Sequence, residues 1–134
     1  MRIHLLLISL ISIACTYRLI LAFKTYTERV KSLRSILSQN DLTIMPCCYD
    51  GLTARLIENA GFNITFMTGF GVSATFGLPD TGLLGSEEMF QSASKICSTL
   101  QNIPCIGDGD TGYGNPVNVK RTVARLKDYL YPKI

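Results

Sequence analysis

Histidine is nearly absent from this 134-residue chain: His4 is the only one, and it sits in an apolar N-terminal run. Beyond that run, Ser-His-Asp catalysis and His-ligated metals are excluded. Tryptophan is missing, and the five cysteines (Cys15, Cys47, Cys48, Cys97, Cys105) show neither C-x-x-C nor any zinc-ligand spacing. In a chain that is 47% hydrophobic they read as reduced, packed thiols rather than a disulfide framework, with one reactive thiol left open. Acids are scarce at the front: residues 1–40 hold six Lys/Arg against Glu28 alone, and the remainder holds seven basic and nine acidic residues. The net charge of +3 therefore belongs to the N-terminal segment, and the rest carries no bias toward nucleic acid. No low-complexity linker or long repeat interrupts the chain, and its ordinary composition excludes disorder and collagen.

A long unbroken hydrophobic run is lacking too. Residues 5–15, LLLISLISIAC, are uncharged and follow Arg2, the pattern of a signal-type leader. A membrane span needs about 20 apolar residues. Residues 3–23 reach that only with Arg18 near one end, where it can snorkel. The expectation is a leader over 1–23, cleaved near Ala22-Phe23, sending the chain to the secretory route or a plastid-like organelle. The alternative is an uncleaved anchor, with 3–23 as the only membrane contact. The basic run Lys24–Arg34 suits a transit segment within an N-terminal helix over 24–40. The sequon Asn63-Ile64-Thr65 lies at the head of an apolar strand, so it is expected to be silent.

Past the leader, helical and strand-like segments alternate. Thr27 is expected to cap a helix with Val30, Leu33, Ile36 and Leu37 on one face. Thr43–Cys48 reads as a strand ending at the N-cap Asp50, and the next helix buries Leu52, Leu56, Ile57 and Ala60 before Gly61 stops it. Asn63–Thr68 is a second strand, followed by a glycine-rich turn. Ser86 opens a helix whose apolar face is Met89, Phe90, Ala93, Ile96, Cys97 and Leu100. Ile103–Gly107 is a third strand, and Asn115-Pro116 opens a helix carrying Val119, Val123, Leu126 and Leu130. Apolar strands separated by helices mean an α/β fold with a parallel sheet covered by helices. About three βα units form either a small open sheet or the N-terminal part of a (β/α)8 barrel over 41–134.

In such folds the site lies at the carboxyl ends of the strands. Asp108 and Asp110, two apart, put both carboxylates on one side of an extended chain, between Gly107, Gly109 and the loop Thr111–Gly114. Oxygen ligands without histidine suit Mg2+ or Mn2+, and a calcium loop fails because its twelfth position is Val119. A plain Asp/Gly turn accounts for the same residues. Thr68-Gly69-Phe70-Gly71-Val72-Ser73-Ala74 matches G-x-G-x-x-A, but Gly77-Leu78-Pro79 stops any long helix, which argues against a dinucleotide site. A backbone N–H cradle for a small anion fits better, with Asp80 in the loop beside it.

These segments, with Met45-Pro46-Cys47-Cys48-Tyr49-Asp50-Gly51-Leu52-Thr53-Ala54-Arg55-Leu56 and Gly77-Leu78-Pro79-Asp80-Thr81-Gly82-Leu83, occur in an order that resembles the isocitrate lyase / phosphoenolpyruvate mutase superfamily. The nearest resemblance is to the carboxyvinyl-carboxyphosphonate phosphorylmutase-like branch of plants, over about Leu33 to Val123. It implies a TIM-type barrel enzyme, a homo-oligomer at full length, that makes or breaks C–C or P–C bonds of small α-oxo acids through an enolate held by Mg2+. On this resemblance Asp108 is the principal metal-side carboxylate. Asp110 and the catalytic-site acid Asp80 hold the metal's water shell. Thr68, Gly69 and Phe70 form the substrate cradle, with Thr68 keeping the hydroxyl of the usual serine. The family continues to a fourth strand with a Glu-Asp pair and a Lys-x-Cys-Gly-His loop. Residues 124–134 do not resemble that continuation, so a truncated product without turnover of its own is expected, partner-binding or membrane-tethered.

Overall fold

The computed structural model describes residues 24–130. The leader over 1–23, and the cleavage point and anchor expected there, lie outside the described residues. In order come α1 (Tyr26–Leu37), β1 (Cys47–Cys48), α2 (Gly51–Asn59), β2 (Thr65–Met67), α3 (Gly69–Thr75), α4 (Ser86–Thr99), β3 (Cys105–Gly107) and α5 (Pro116–Leu130). The strands form one parallel sheet in the order β1-β2-β3. Sheet polarity and the alternation of elements are as expected; the glycine-rich stretch after β2 is a short helix rather than a turn. Among the described residues no helix is long and apolar enough to cross a membrane.

Successive strand residues point to opposite faces. Cys48, Thr65, Met67 and Cys105 lie on the face packed against helices and are buried, while the paired row Cys47, Phe66 and Ile106 occupies the other face and is more open. Onto the buried face α4 presents Met89, Phe90, Ala93, Ile96 and Cys97, the stripe its periodicity predicts. Cys48, Cys97 and Cys105 are free, buried thiols, and only Cys47 of the described cysteines is exposed. The neighbouring Cys48 and Cys97 sulfurs, with burial, push the Cys105 thiol far above its ordinary range, so it stays protonated.

Four helix expectations are corrected. Thr25, not Thr27, caps α1, because Glu28 stands three residues after it and completes a capping box. Gly85 is the N-cap of α4, leaving Ser86 as its first helical residue. In α2 the buried position is Ala54, while Leu52 and Leu56 are 68% and 58% exposed. The cause is close approach: a methyl on Gly51 would lie 2.8 Å from Thr99 Oγ1 of α4. Small residues fill that contact, so the leucine stripe turns outward. Likewise α5 buries Thr122 and Leu126, not Val123, because the Thr122 hydroxyl donates to the Gly112 carbonyl at 3.0 Å.

Candidate active site

The three strands end side by side, and their carboxyl ends collect the polar groups. Thr68, directly after β2, is the N-cap of α3, and its hydroxyl accepts from Gly71 N–H at 3.4 Å. Gly69 N–H donates to Asp108 Oδ2 at 3.1 Å, and Asp110 N–H donates to Asp108 Oδ1 at 3.0 Å. Asp108 N–H itself continues the sheet by donating to the Met67 carbonyl at 3.0 Å. One carboxylate thus joins the end of β3 to the first turn of α3. The carboxylates pack close over Gly69: a methyl there would lie 2.6 Å from Asp110 Oδ1 and 3.1 Å from Asp108 Oδ2, so any side chain would push the Asp110 carboxylate aside.

Beyond Asp108 the backbone leaves the ordinary regions. Asp110 and Tyr113 have φ of 45° and 61°, and Gly112 has φ of 82°. Left-handed backbone at non-glycine residues is costly and concentrates at functional sites. It folds the loop back so that the Tyr113 hydroxyl donates to Asp110 Oδ2. Burial, that hydrogen bond and the charges of Asp110, Asp108 and Asp80 raise the Tyr113 phenol, keeping it a protonated donor. Asp80, Thr81, Leu84, Asp110, Thr111 and Tyr113 line a cavity of about 700 Å3. On the other side of Gly69–Phe70, a more apolar hollow of about 560 Å3 is lined by Cys47, Tyr49, Thr68, Phe70 and Ala74.

The residues expected from the sequence are therefore assembled in part. Asp108 and Asp110 meet over Gly69, and Asp80 shares a cavity with Asp110. Among the described residues no three acids, histidines or cysteines are gathered tightly enough to hold one ion together, so convergence of all three carboxylates on a single point is not observed. The Gly69 amide, expected to face substrate, is engaged by Asp108. Tyr113, inside the Thr111–Gly114 loop, is not singled out by the sequence; its role depends on a positive φ that no residue type announces.

A parallel α/β sheet with acids and an amide turn at its carboxyl ends defines a class of enzyme-type scaffold. Residues 33–129 match the phosphoenolpyruvate phosphomutase family, and the chain belongs to it. It is 39% identical over 102 residues to the chloroplastic carboxyvinyl-carboxyphosphonate phosphorylmutase of Arabidopsis thaliana, covering 75% of this chain and 30% of that protein. It is 39% identical over 112 residues to 2,3-dimethylmalate lyase of Eubacterium barkeri, covering 75% and 38%. Among solved structures, a phosphonopyruvate hydrolase in complex with oxalate and Mg2+ superposes with a TM-score of 0.71 at 32% identity, over 81% of this chain and 37% of that one. The chain thus spans about a third of the length of the relatives it matches.

Proposed function

We propose that this chain forms the first three βα units of a (β/α)8 barrel lyase or phosphonomutase that acts on C–C or P–C bonds of small α-oxo (di)carboxylic acids. The observation that carries the reading is the pair Asp108–Asp110 set close against the first turn of α3, where any side chain on Gly69 would displace the Asp110 carboxylate. Two carboxylates with no basic partner among the described residues suit a hard cation that keeps several waters. Asp108 and Asp110 would hold Mg2+ or Mn2+, and Asp80, across the cavity, would hold its water shell. Bound there, the cation would supply positive charge to offset the enolate oxygen that develops as the bond beside the carbonyl breaks. Thr68, Gly69 and Phe70 belong to a helix N-terminus and would form the carboxylate cradle once Asp108, which now accepts the Gly69 N–H, turns to the cation. Tyr113 keeps a proton on its hydroxyl and fixes Asp110.

A second reading, a chain that binds oxo acid without turning it over, possesses a specific support. Among the described residues lining the acid-bearing cavity, the ionisable groups are Asp80, Asp110 and Tyr113, two of which would serve the cation while the third holds Asp110. Partner binding, membrane tethering and homo-oligomerisation belong with these proposals, as does routing by the leader to the secretory path or a plastid-like organelle; the Arabidopsis relative is named chloroplastic. The experiment is calorimetric titration of the full chain with oxalate, with and without Mg2+. Mg2+-dependent oxalate binding is expected, and its absence removes the site. Oxaloacetate turnover with Mg2+ then separates the two readings.

A further inference from the structure

The chain contains one Asn-x-Ser/Thr tripeptide, Asn63-Ile64-Thr65, at the amino end of the sheet, away from the acids. The expectation of silence rested on burial, and the three residues divide sharply on that point. Asn63 precedes β2 in a bend and is exposed, whereas Ile64 and Thr65 are 1% and 0% exposed. Gly61, at φ of 86°, follows the C-cap Ala60 of α2 in the left-handed conformation that ends the helix.

We propose that Asn63 carries an N-linked glycan, attached before β2 enters the sheet. The inference rests on the reading of residues 1–23 as a leader into the secretory route. In the folded chain the Thr65 hydroxyl, which a transferase must engage, donates to the Pro46 carbonyl at 2.9 Å, and Thr65 N–H donates to the Pro104 carbonyl at 3.1 Å. The tripeptide is therefore accessible only while β1, β2 and β3 are apart. The donor is a lipid-linked oligosaccharide pyrophosphate. The Asn63 side-chain nitrogen forms a bond to the first sugar carbon and loses a proton to a transferase base. The bond from that carbon to the pyrophosphate oxygen breaks, and the lipid pyrophosphate leaves. Once attached, the sugar projects from an exposed side chain, so sheet closure and the opposite, acid-bearing end are left undisturbed.

The test is translation of the full chain in a cell-free system containing endoplasmic-reticulum vesicles. One discrete upward shift is expected, reversed by an endoglycosidase and lost in Asn63→Gln, an exposed change that spares the fold. A chain protected from added protease by the vesicles yet unshifted overturns the glycan and leaves the leader reading standing. A chain neither protected nor shifted overturns both.

Discussion

Both ends of the sheet set a carboxylate against backbone N–H groups, and they do it to opposite effect. At the amino end Glu58 of α2 takes the N–H groups of Gln101, Asn102 and Ile103, at 2.6–3.3 Å, and also pairs with Arg55 at 3.1 Å. Arg55 in turn reaches the Thr99 carbonyl at 3.3 Å. Every charge there is compensated, and α2 is fastened to the loop between α4 and β3. At the carboxyl end Asp108 takes two N–H groups, but Asp110 stands beside it and Asp80 shares the cavity. No ion pair reaches these three among the described residues. The first arrangement is a closed structural joint, and the second is charge held ready for something else.

The largest effect should come from breaking the closed joint. Glu58→Ala leaves three N–H groups without their acceptor in a mostly buried place, while the Arg55 guanidinium keeps the Thr99 carbonyl. A loss of about 3 kcal/mol in urea unfolding is expected. Glu58→Gln, which keeps one oxygen, should lose less. Asp108→Asn should do the reverse at the other end. Mg2+ affinity should fall by about 100-fold, or about 2.7 kcal/mol. Metal-free stability should change by less than about 1 kcal/mol, because losing the acceptor of one N–H offsets the relief of one of two neighbouring charges. A destabilised Asp108→Asn that still binds Mg2+ would make the carboxyl end another structural joint.

The same two ends mark how far the residues alone could be read. The strands, the α4 stripe and the Asn115-Pro116 start of α5 follow from local chemistry: Asn115 Oδ1 accepts from Val117 and Asn118 N–H at 2.9 and 3.2 Å. Asp108, Asp110 and the Thr68–Phe70 turn were legible because strand ends bring them together. The outward turn of Leu52 and Leu56 was not, since it depends on how closely α4 approaches Gly51. Nor was the Glu58 joint, whose partners lie more than 40 residues away. Tyr113 escaped for a third reason, a left-handed backbone at a residue that rarely adopts one.

Tyr113→Phe refines the comparison on a smaller scale. The ring stays, and with it the packing against the core; only the hydrogen bond to Asp110 goes. Mg2+ affinity should weaken about tenfold, as when an outer partner of a metal ligand is removed. The metal-free unfolding midpoint should stay near that of the parent chain. Equal Mg2+ affinity would leave Tyr113 a packing residue.

Asp50 gives the smallest expected effect and the finest cut. It lies at the carboxyl end of β1, among the acids, yet it is spent structurally: its carboxylate accepts from Thr53 N–H at 2.7 Å and from the Thr53 hydroxyl at 2.8 Å as the cap of α2. Those bonds, the backbone one foremost, hold its pKa below the usual aspartate range. A depressed folded-state pKa stabilises above the unfolded value of about 3.9 and ceases to do so as pH falls through the folded one. Asp50→Ala should therefore cost about 1 kcal/mol at neutral pH. The gap between variant and parent should close as acid protonates the parent's cap. Because Asp50 works only through its helix, Mg2+ affinity should not follow that pH profile. If it did, the cap and the acid-lined cavity would be one coupled unit, and the division between fastening charge and waiting charge would run through β1 rather than between the two ends of the sheet.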